Sequence, residues 1–324
     1  MNEYVKIKGM GYATAQRRVN NTDFTWLDTS DEWITSRTGI NSRYVTETEN
    51  TSDLALRASV SAIADAGIDK RDIDTIIVAT FTPDMLTPSV ASILQAKLGL
   101  NDCPIMAFDL NSACTGFVMA FQTISAFIQT RRTKTALIVG AETLSKVMDW
   151  HDRGTCVLFG DGAGAFICTN QGNESVVAHF ANSRGDLEDV LSAEGLKLQD
   201  ISDAQPLTSG TLKMQGQAVF RFAVDAISDG IRQVIEKSGL SLDQIDYIIP
   251  HQANLRIIAH VASKMKIPQE KFITNLERFG NTSAASIPIA MAEAKANGIL
   301  KEGQRIIMVG FGAGLTWAGS TVEL

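Results

Sequence analysis

Three residue types suited to nucleophilic and hydrogen-bonding chemistry stand at structural junctions of this chain. Asp109-Leu110-Asn111-Ser112-Ala113-Cys114-Thr115-Gly116-Phe117 reads as a strand running into a long helix, with Cys114 at the turn between them. The start of a helix carries partial positive charge and free N–H groups, so a thiol there is expected to have a lowered pKa and to act as a nucleophile. A buried, inert cysteine is the plain alternative, and it is the reading for Cys103, Cys156 and Cys168, which lack such a setting. His251, in Pro250-His251-Gln252-Ala253-Asn254, follows a short β-branched strand. In parallel α/β sheets that edge is where ligands bind, and a histidine there can shuttle a proton or donate a hydrogen bond, or simply cap a loop. His151, His179 and His260 have no comparable placement. Asn281, in Phe279-Gly280-Asn281-Thr282-Ser283-Ala284-Ala285-Ser286, can serve as a helix cap, a binding group or both.

An internal repeat relates these junctions. Residues 66–78 resemble residues 238–250, an offset of 172 (238 against 66). Thr135-Ala136-Leu137-Ile138-Val139-Gly140 resembles Arg305-Ile306-Ile307-Met308-Val309-Gly310, an offset of 170 (305 against 135). Two matches at nearly one offset, close to half of 324 residues, predict a duplicated α/β half. A shift of 170 carries Cys114 onto Ala284. The loop bearing Asn281 therefore occupies, in the second half, the junction that Cys114 occupies in the first. Duplication would bring the two together across a pseudo-twofold axis, with His251 on a neighbouring strand end.

The elements that must position these residues follow from hydrophobic patterning. Runs at 75–80, 104–110, 135–140, 245–250 and 305–310 read as strands, mostly of the continuous apolar kind buried on both faces. Phe117, Phe121, Ile124 and Ile128 form one helical stripe, and residues 217–237 and 254–266 also read as helices. Alternating strands and helices predict a layered α/β fold of two fused halves, 1–171 with the cysteine and 172–324 with the histidine and asparagine. The polar stretch 170–210 reads as the connection between them. The glycine clusters 160–164 and 310–314 lack phosphate-loop spacing. Close backbone approach is their expected use, and the second could aim a backbone N–H at a reacting carbonyl. No His/Cys/Asp/Glu set has metal-ligand spacing.

Composition narrows the function class. The chain is 45% hydrophobic and 20% charged, with 25 Gly and 7 Pro, which is ordinary for a globular protein. A net charge of −7 argues against a broad nucleic-acid-binding face. Four cysteines without a C-x-x-C pair point to reduced thiols. The start, Met1-Asn2-Glu3-Tyr4-Val5-Lys6, is not built like a signal peptide, and the apolar region 104–128 is broken by Asp109, Asn111 and Ser112, so it is not a membrane span. The expectation is a soluble cytoplasmic protein.

Together, Cys114, His251-Gln252-Ala253-Asn254 and Gly280-Asn281-Thr282-Ser283-Ala284 resemble the Cys-His-Asn signature of the β-ketoacyl-acyl-carrier-protein synthase III family. Residues 29–40, Asp152-Arg153-Gly154-Thr155, Phe159-Gly160-Asp161-Gly162-Ala163-Gly164 and Phe311-Gly312-Ala313-Gly314 also look like its motifs, in order, over nearly the whole chain. The resemblance implies a thiolase-like, five-layered αβαβα sandwich and a homodimer. It implies that Cys114 takes an acyl group from acyl-CoA, and that malonyl-acyl carrier protein is then decarboxylated and condensed with it. His251 and Asn281 would hold the enolate oxygen, and the backbone N–H groups of Cys114 and Ala313 the thioester oxyanion. CoA enters as substrate, with no separate cofactor. By the same resemblance, Trp33 and Arg153 would sandwich the CoA adenine, Arg37 would lie near its phosphates, and Phe311 beside His251 and Asn281.

Carrier docking is implied for Gln252, Ala253, Asn254, Leu255, Arg256 and Lys264, with Arg221 extending the patch. Residues 251–271 themselves hold four basic groups (Arg256, Lys264, Lys266, Lys271) against Glu270, a local +3 that would steer an acidic carrier protein. Thr87 stands where some members place a pocket-limiting Phe from the partner subunit, which leaves the acyl preference open, and Ala313 stands where Gly is frequent. Elongating synthases (Cys-His-His) and thiolases (a second, C-terminal Cys) do not fit, because the third group is Asn281 and no cysteine follows Cys168. Polyketide or signal-molecule synthases share the three residue types. A cysteine hydrolase and a non-catalytic carrier-binding protein are the remaining alternatives.

Overall fold

The computed structural model describes residues 5–170, 178–186, 188–196 and 210–324. The elements of the first half are β1 (Lys6–Thr14), β2 (Arg17–Asn20), α1 (Asp31–Thr38), β3 (Ser42–Val45), α2 (Thr51–Ala66), β4 (Thr75–Ala79), α3 (Val90–Lys97), β5 (Met106–Leu110), α4 (Gly116–Gln129), β6 (Thr135–Glu142) and β7 (Gly162–Thr169). They are followed by β8 (His179–Ser183), β9 (Leu191–Ala193), β10 (Leu212–Met214), α5 (Gly216–Ser238), β11 (Tyr247–Pro250), α6 (Leu255–Met265), α7 (Leu276–Phe279), α8 (Ser286–Ala296), β12 (Arg305–Gly312) and β13 (Thr316–Glu323).

Strand order shows the duplication. One sheet runs β1-β7-β6-β4-β5, the other β8-β13-β12-β11. In both, the two strands of the sequence repeat pair in parallel, β4 with β6 and β11 with β12, and the next strand is antiparallel. Where β5 completes the first sheet, the second has a single parallel bridge, Ile248 to Phe272.

Alternation along each buried strand assigns the layers. Ile77 and Ala79 of β4 pack inward on Phe117, Phe121 and Ile124 of α4, together with Ile287 and Met291 of α8 and Ile306 and Met308 of β12. Ile76 and Val78 face outward onto Leu54 and Ala58 of α2 and Leu94 of α3. Ile307 and Val309 of β12 face outward onto Ile227 and Ile231 of α5 and Val261 of α6. The result is a five-layered αβαβα sandwich: α2 and α3, sheet, α4 and α8, sheet, α5 and α6. Strands covered on both faces have no polar side to show, which is why their sequences are unbroken apolar runs.

The stretch 170–210 is more than a connection. Its described part contains β8, the edge of the second sheet, and β9, which pairs with β10. These strands are three to five residues long and partly exposed, so they carry no apolar periodicity to read. The boundary expected at 171/172 lies outside the described residues.

The halves meet backbone to backbone. A Cβ on Gly140 of β6 would lie 2.4 Å from the carbonyl oxygen of Ala284, deep in the interface. Gly140→Ala should therefore cost about 1–3 kcal/mol through overpacking. Gly185→Ala, where nothing lies within 4 Å, should stay within about 0.5 kcal/mol. Urea unfolding of both variants checks this, and equal midpoints would show that the contact carries no such constraint.

Candidate active site

Cys114 sits in a one-turn 3-10 segment, Ala113–Thr115, ahead of α4, and Asn281 lies just before the matching segment, Ser283–Ala285, ahead of α8. Both turns open with a non-glycine residue in the left-handed region, Ala113 at φ 44° and Ser283 at φ 49°. Each is closed by an asparagine at equivalent positions: Asn111 Oδ1 accepts from the Ala113 N–H (3.2 Å) and Asn281 Oδ1 from the Ser283 N–H (2.9 Å). This bond orients the Asn281 amide, because an oxygen committed to the turn leaves its NH2 as the group for the cavity. Asn281 thus closes the turn and lines the cavity, while the N-cap position expected of it is held by Thr282 for the 3-10 segment and by Ala285 for α8. Its own backbone is held between Leu158 O (2.8 Å) and the Gly160 N–H (3.0 Å).

Cys114, His251, Asn281, Phe311 and Ala313 line one cavity of about 290 Å³, with Asn111 and Ser283 also in its wall. Gly312 brings β12 against Cys114: a Cβ there would lie 2.8 Å from Cys114 N and 3.1 Å from Cys114 Cβ. The backbone of 312–313 therefore runs beside the thiol as only glycine allows. His251 is buried beyond β11. Its Nδ1 lies 2.7 Å from Ser286 Oγ, and its ring meets Phe311 edge-on at 5.2 Å.

Burial dominates the electrostatics. It pushes the Cys114 thiol up to about 12, opposed by the Ser283 hydroxyl and reinforced by the Glu142 carboxylate. Desolvation of a buried thiolate thus opposes the lowering expected from the helix start. His251 is driven down to about 3, also by burial. Glu142, fully buried at the end of β6, is raised to about 7 by burial, and its Oε2 accepts from Thr82 Oγ1 (2.5 Å) and Thr80 Oγ1 (3.1 Å).

The cavity also takes Phe81, Phe159, Leu191, Ser192, Leu212 and Met214, which sequence reasoning missed. The short strands β9 and β10 supply four of these, and nothing in their composition marks them. Thr87 is not brought in: it is exposed and outside the cavity wall in its own chain.

At α1, the Arg37 guanidinium lies 4.6 Å and that of Arg153 4.9 Å from the Trp33 ring centroid. Arg153 also donates to the Asp28 carbonyl and carboxylate. Asn254, the N-cap of α6, donates to Arg37 O (3.1 Å), tying this cluster to the His251 loop.

The basic patch is smaller than the sequence suggests. Lys264 is paired with Asp225 of α5 (2.7 Å), and Lys271 donates inward to Leu242 O and Ile245 O. Gln252 is buried, donating to Pro250 O (2.7 Å) and accepting from the Asn275 N–H (3.0 Å), so it braces the loop and presents nothing to a carrier. Ala253 and Asn254 line the cavity, Leu255 is half-buried, and Arg256 and Arg221 are exposed. Among the described residues neither arginine has an ion-pair partner.

Comparison with known proteins agrees with this architecture. Residues 108–185 match the family model described as 3-oxoacyl-[acyl-carrier-protein (ACP)] synthase III, and residues 235–324 its C-terminal model. The chain is 48% identical over 321 residues to the beta-ketoacyl-[acyl-carrier-protein] synthase III of Clostridium acetobutylicum, covering 98% of each. A solved 3-oxoacyl-[acyl-carrier-protein] synthase III from Aquifex aeolicus superposes at TM-score 0.91 and 40% identity, covering 99% of this chain and 100% of the other. The priming beta-ketosynthase of the R1128 polyketide pathway superposes at TM-score 0.93 and 31% identity, covering 100% and 97%. The fold is thus that of the thiolase-like condensing enzymes. Within them, the chain belongs to the β-ketoacyl-acyl-carrier-protein synthase III family.

A histidine lowered to about 3 stays neutral where an ordinary one, at 6.5, would charge. The unfolded chain binds a proton on this ring below about pH 6.5 that the folded chain refuses, so the group favours unfolding as pH falls through that window. In an NMR titration, His251 should show no protonation above about pH 5. A midpoint near its ordinary value would contradict the burial argument.

Proposed function

We propose that the chain catalyses the initiating condensation of type II fatty-acid synthesis, in which an acyl-CoA and malonyl-acyl carrier protein give 3-oxoacyl-acyl carrier protein, CoA and CO2. The observation that carries the reading is the convergence of Cys114, His251 and Asn281 on one largely apolar cavity, with the Gly312–Ala313 backbone beside the thiol.

In the first half-reaction, Cys114 sulfur attacks the thioester carbonyl, the carbon–sulfur bond to CoA breaks, and the thiol proton passes to the departing CoA sulfur. No net base is consumed, which suits a thiol that rests protonated. The backbone N–H groups of Cys114 and Ala313 receive the oxyanion. In the second half-reaction, the malonyl carboxylate leaves as CO2 and its bonding electrons become an enolate. Neutral His251 and the Asn281 NH2 stabilise the enolate oxygen. The enolate carbon then attacks the acyl-cysteine, and the released thiolate takes up a proton. The scheme needs no metal or organic cofactor, and CoA is a substrate throughout. Acetyl is the first primer to consider, since Phe81 and Phe159 bulk the cavity wall.

Trp33 with Arg153 would hold the CoA adenine and Arg37 its phosphates, by cation–π and charge contacts that the Trp33 cluster already displays. An acidic carrier would dock on Arg256 and Arg221, with Lys264 contributing less because Asp225 offsets it. Assembly as a homodimer is supported by the exposed Met85 and Leu86 beside Thr87, apolar side chains that a second copy would cover. No described helix is long and apolar enough to cross a membrane. A priming role in a polyketide pathway is the second reading. The R1128 neighbour favours it on fold, but identity is higher to the fatty-acid relatives.

The two half-reactions separate the roles. Asn281→Ala should slow condensation and CO2 release about 10²–10³-fold while acyl transfer from CoA to Cys114 stays within about threefold. Equal loss in both would remove Asn281 from the enolate step.

A further inference from the structure

We infer that Ser286 fixes His251 in the tautomer that carries its proton on Nε2, making Ser286 a positioning residue for the condensation step. The inference rests on the role proposed for His251 but uses separate observations.

The first is a count of donors and acceptors. Ser286 Oγ lies 2.7 Å from His251 Nδ1 and accepts the Gln252 backbone N–H at 3.3 Å. Both residues are buried, at 2% and 1% exposure, so their polar atoms must be satisfied within the protein. Among the described residues the Ser286 hydroxyl has no other acceptor in hydrogen-bond reach, and its own proton can go only to Nδ1. A ring that accepts at Nδ1 carries its hydrogen on Nε2. Nε2 has no protein partner among the described residues, and the ring lines the cavity, so this N–H serves whatever oxygen arrives there. The opposite tautomer would place two donors and no acceptor on the serine oxygen and leave its hydroxyl proton without a partner.

The second observation is where the two halves of the repeat diverge. Through the offsets of 170 and 172, Ser286 corresponds to Gly116 and His251 to Ala79. The corresponding pair also touches in the first half: a Cβ on Gly116 would lie 3.2 Å from Ala79 Cβ. One architectural contact, strand end against helix start, is thus filled with Gly and Ala in the half that supplies the nucleophile. In the other half it is filled with Ser and His. The hydroxyl and the imidazole occupy the same contact, as expected of a functional unit.

Nitrogen NMR of histidine-labelled protein tests the assignment directly, with the His251 signals identified by their loss in His251→Ala. Wild type should show a protonated Nε2 and a bare Nδ1, whereas a protonated Nδ1 would overturn the inference whether or not any variant folds. Ser286→Ala should lower the condensation kcat about 10²-fold with little change in KM for malonyl-carrier and in Cys114 acylation, and Ser286→Thr should recover most of the loss. A folded Ser286→Ala protein with unchanged tautomer and unchanged condensation would also overturn it. If His251→Ala condenses normally, the role proposed for His251 falls instead, and the nitrogen shifts alone decide the tautomer.

Discussion

Two polypeptide backbones touch at the centre of this molecule, and the site exists only because they do. The Gly140 contact with Ala284 lets the second-half turn settle against β6, and Gly312 lets β12 run along Cys114. Between these contacts α4 and α8 lie side by side, packed by both sheets, with their starting turns facing each other. A methyl group at either glycine would push one turn away from the other. Cys114 lies in one turn and Asn281 at the entry to the other, so a shift of an ångström there would separate thiol from amide.

The same packing sets the chemistry of the groups it encloses. Burial favours the thiol form of Cys114 and the neutral imidazole of His251, and raises the Glu142 carboxyl. A site of neutral donors suits a reaction in which negative charge appears only transiently on oxygen. Donors fixed in a low-dielectric cavity act strongly on such charge and need no reorganisation when it appears. A charged imidazole would also hold the malonyl carboxylate, and would lose the preference for the enolate over the starting acid.

Much of this was legible in the residues. The unbroken apolar runs gave the doubly covered strands, and two offsets near 170 placed the Asn281 loop opposite the Cys114 junction, where the structure has two matching turns, one holding Cys114 and the other entered through Asn281. Other features were not legible. β8, β9 and β10 are too short and too exposed to show periodicity, so the wall they build beside Cys114 was invisible. Charge counted along residues 251–271 could not reveal Asp225, which reaches Lys264 from another helix, nor the inward turn of Lys271. The thiol's position was readable, but its desolvation depends on long-range packing that no local motif records.

The proposed function depends first on Cys114 as the acyl carrier. Incubation with a panel of acyl-CoAs, peptide mapping of the mass gain, and a chase with malonyl-acyl carrier protein test it in one experiment. The prediction is a single acyl adduct on Cys114 that disappears on the chase as 3-oxoacyl-carrier and CO2 form. Failure of every CoA thioester to load Cys114, or an adduct on another residue, would contradict it.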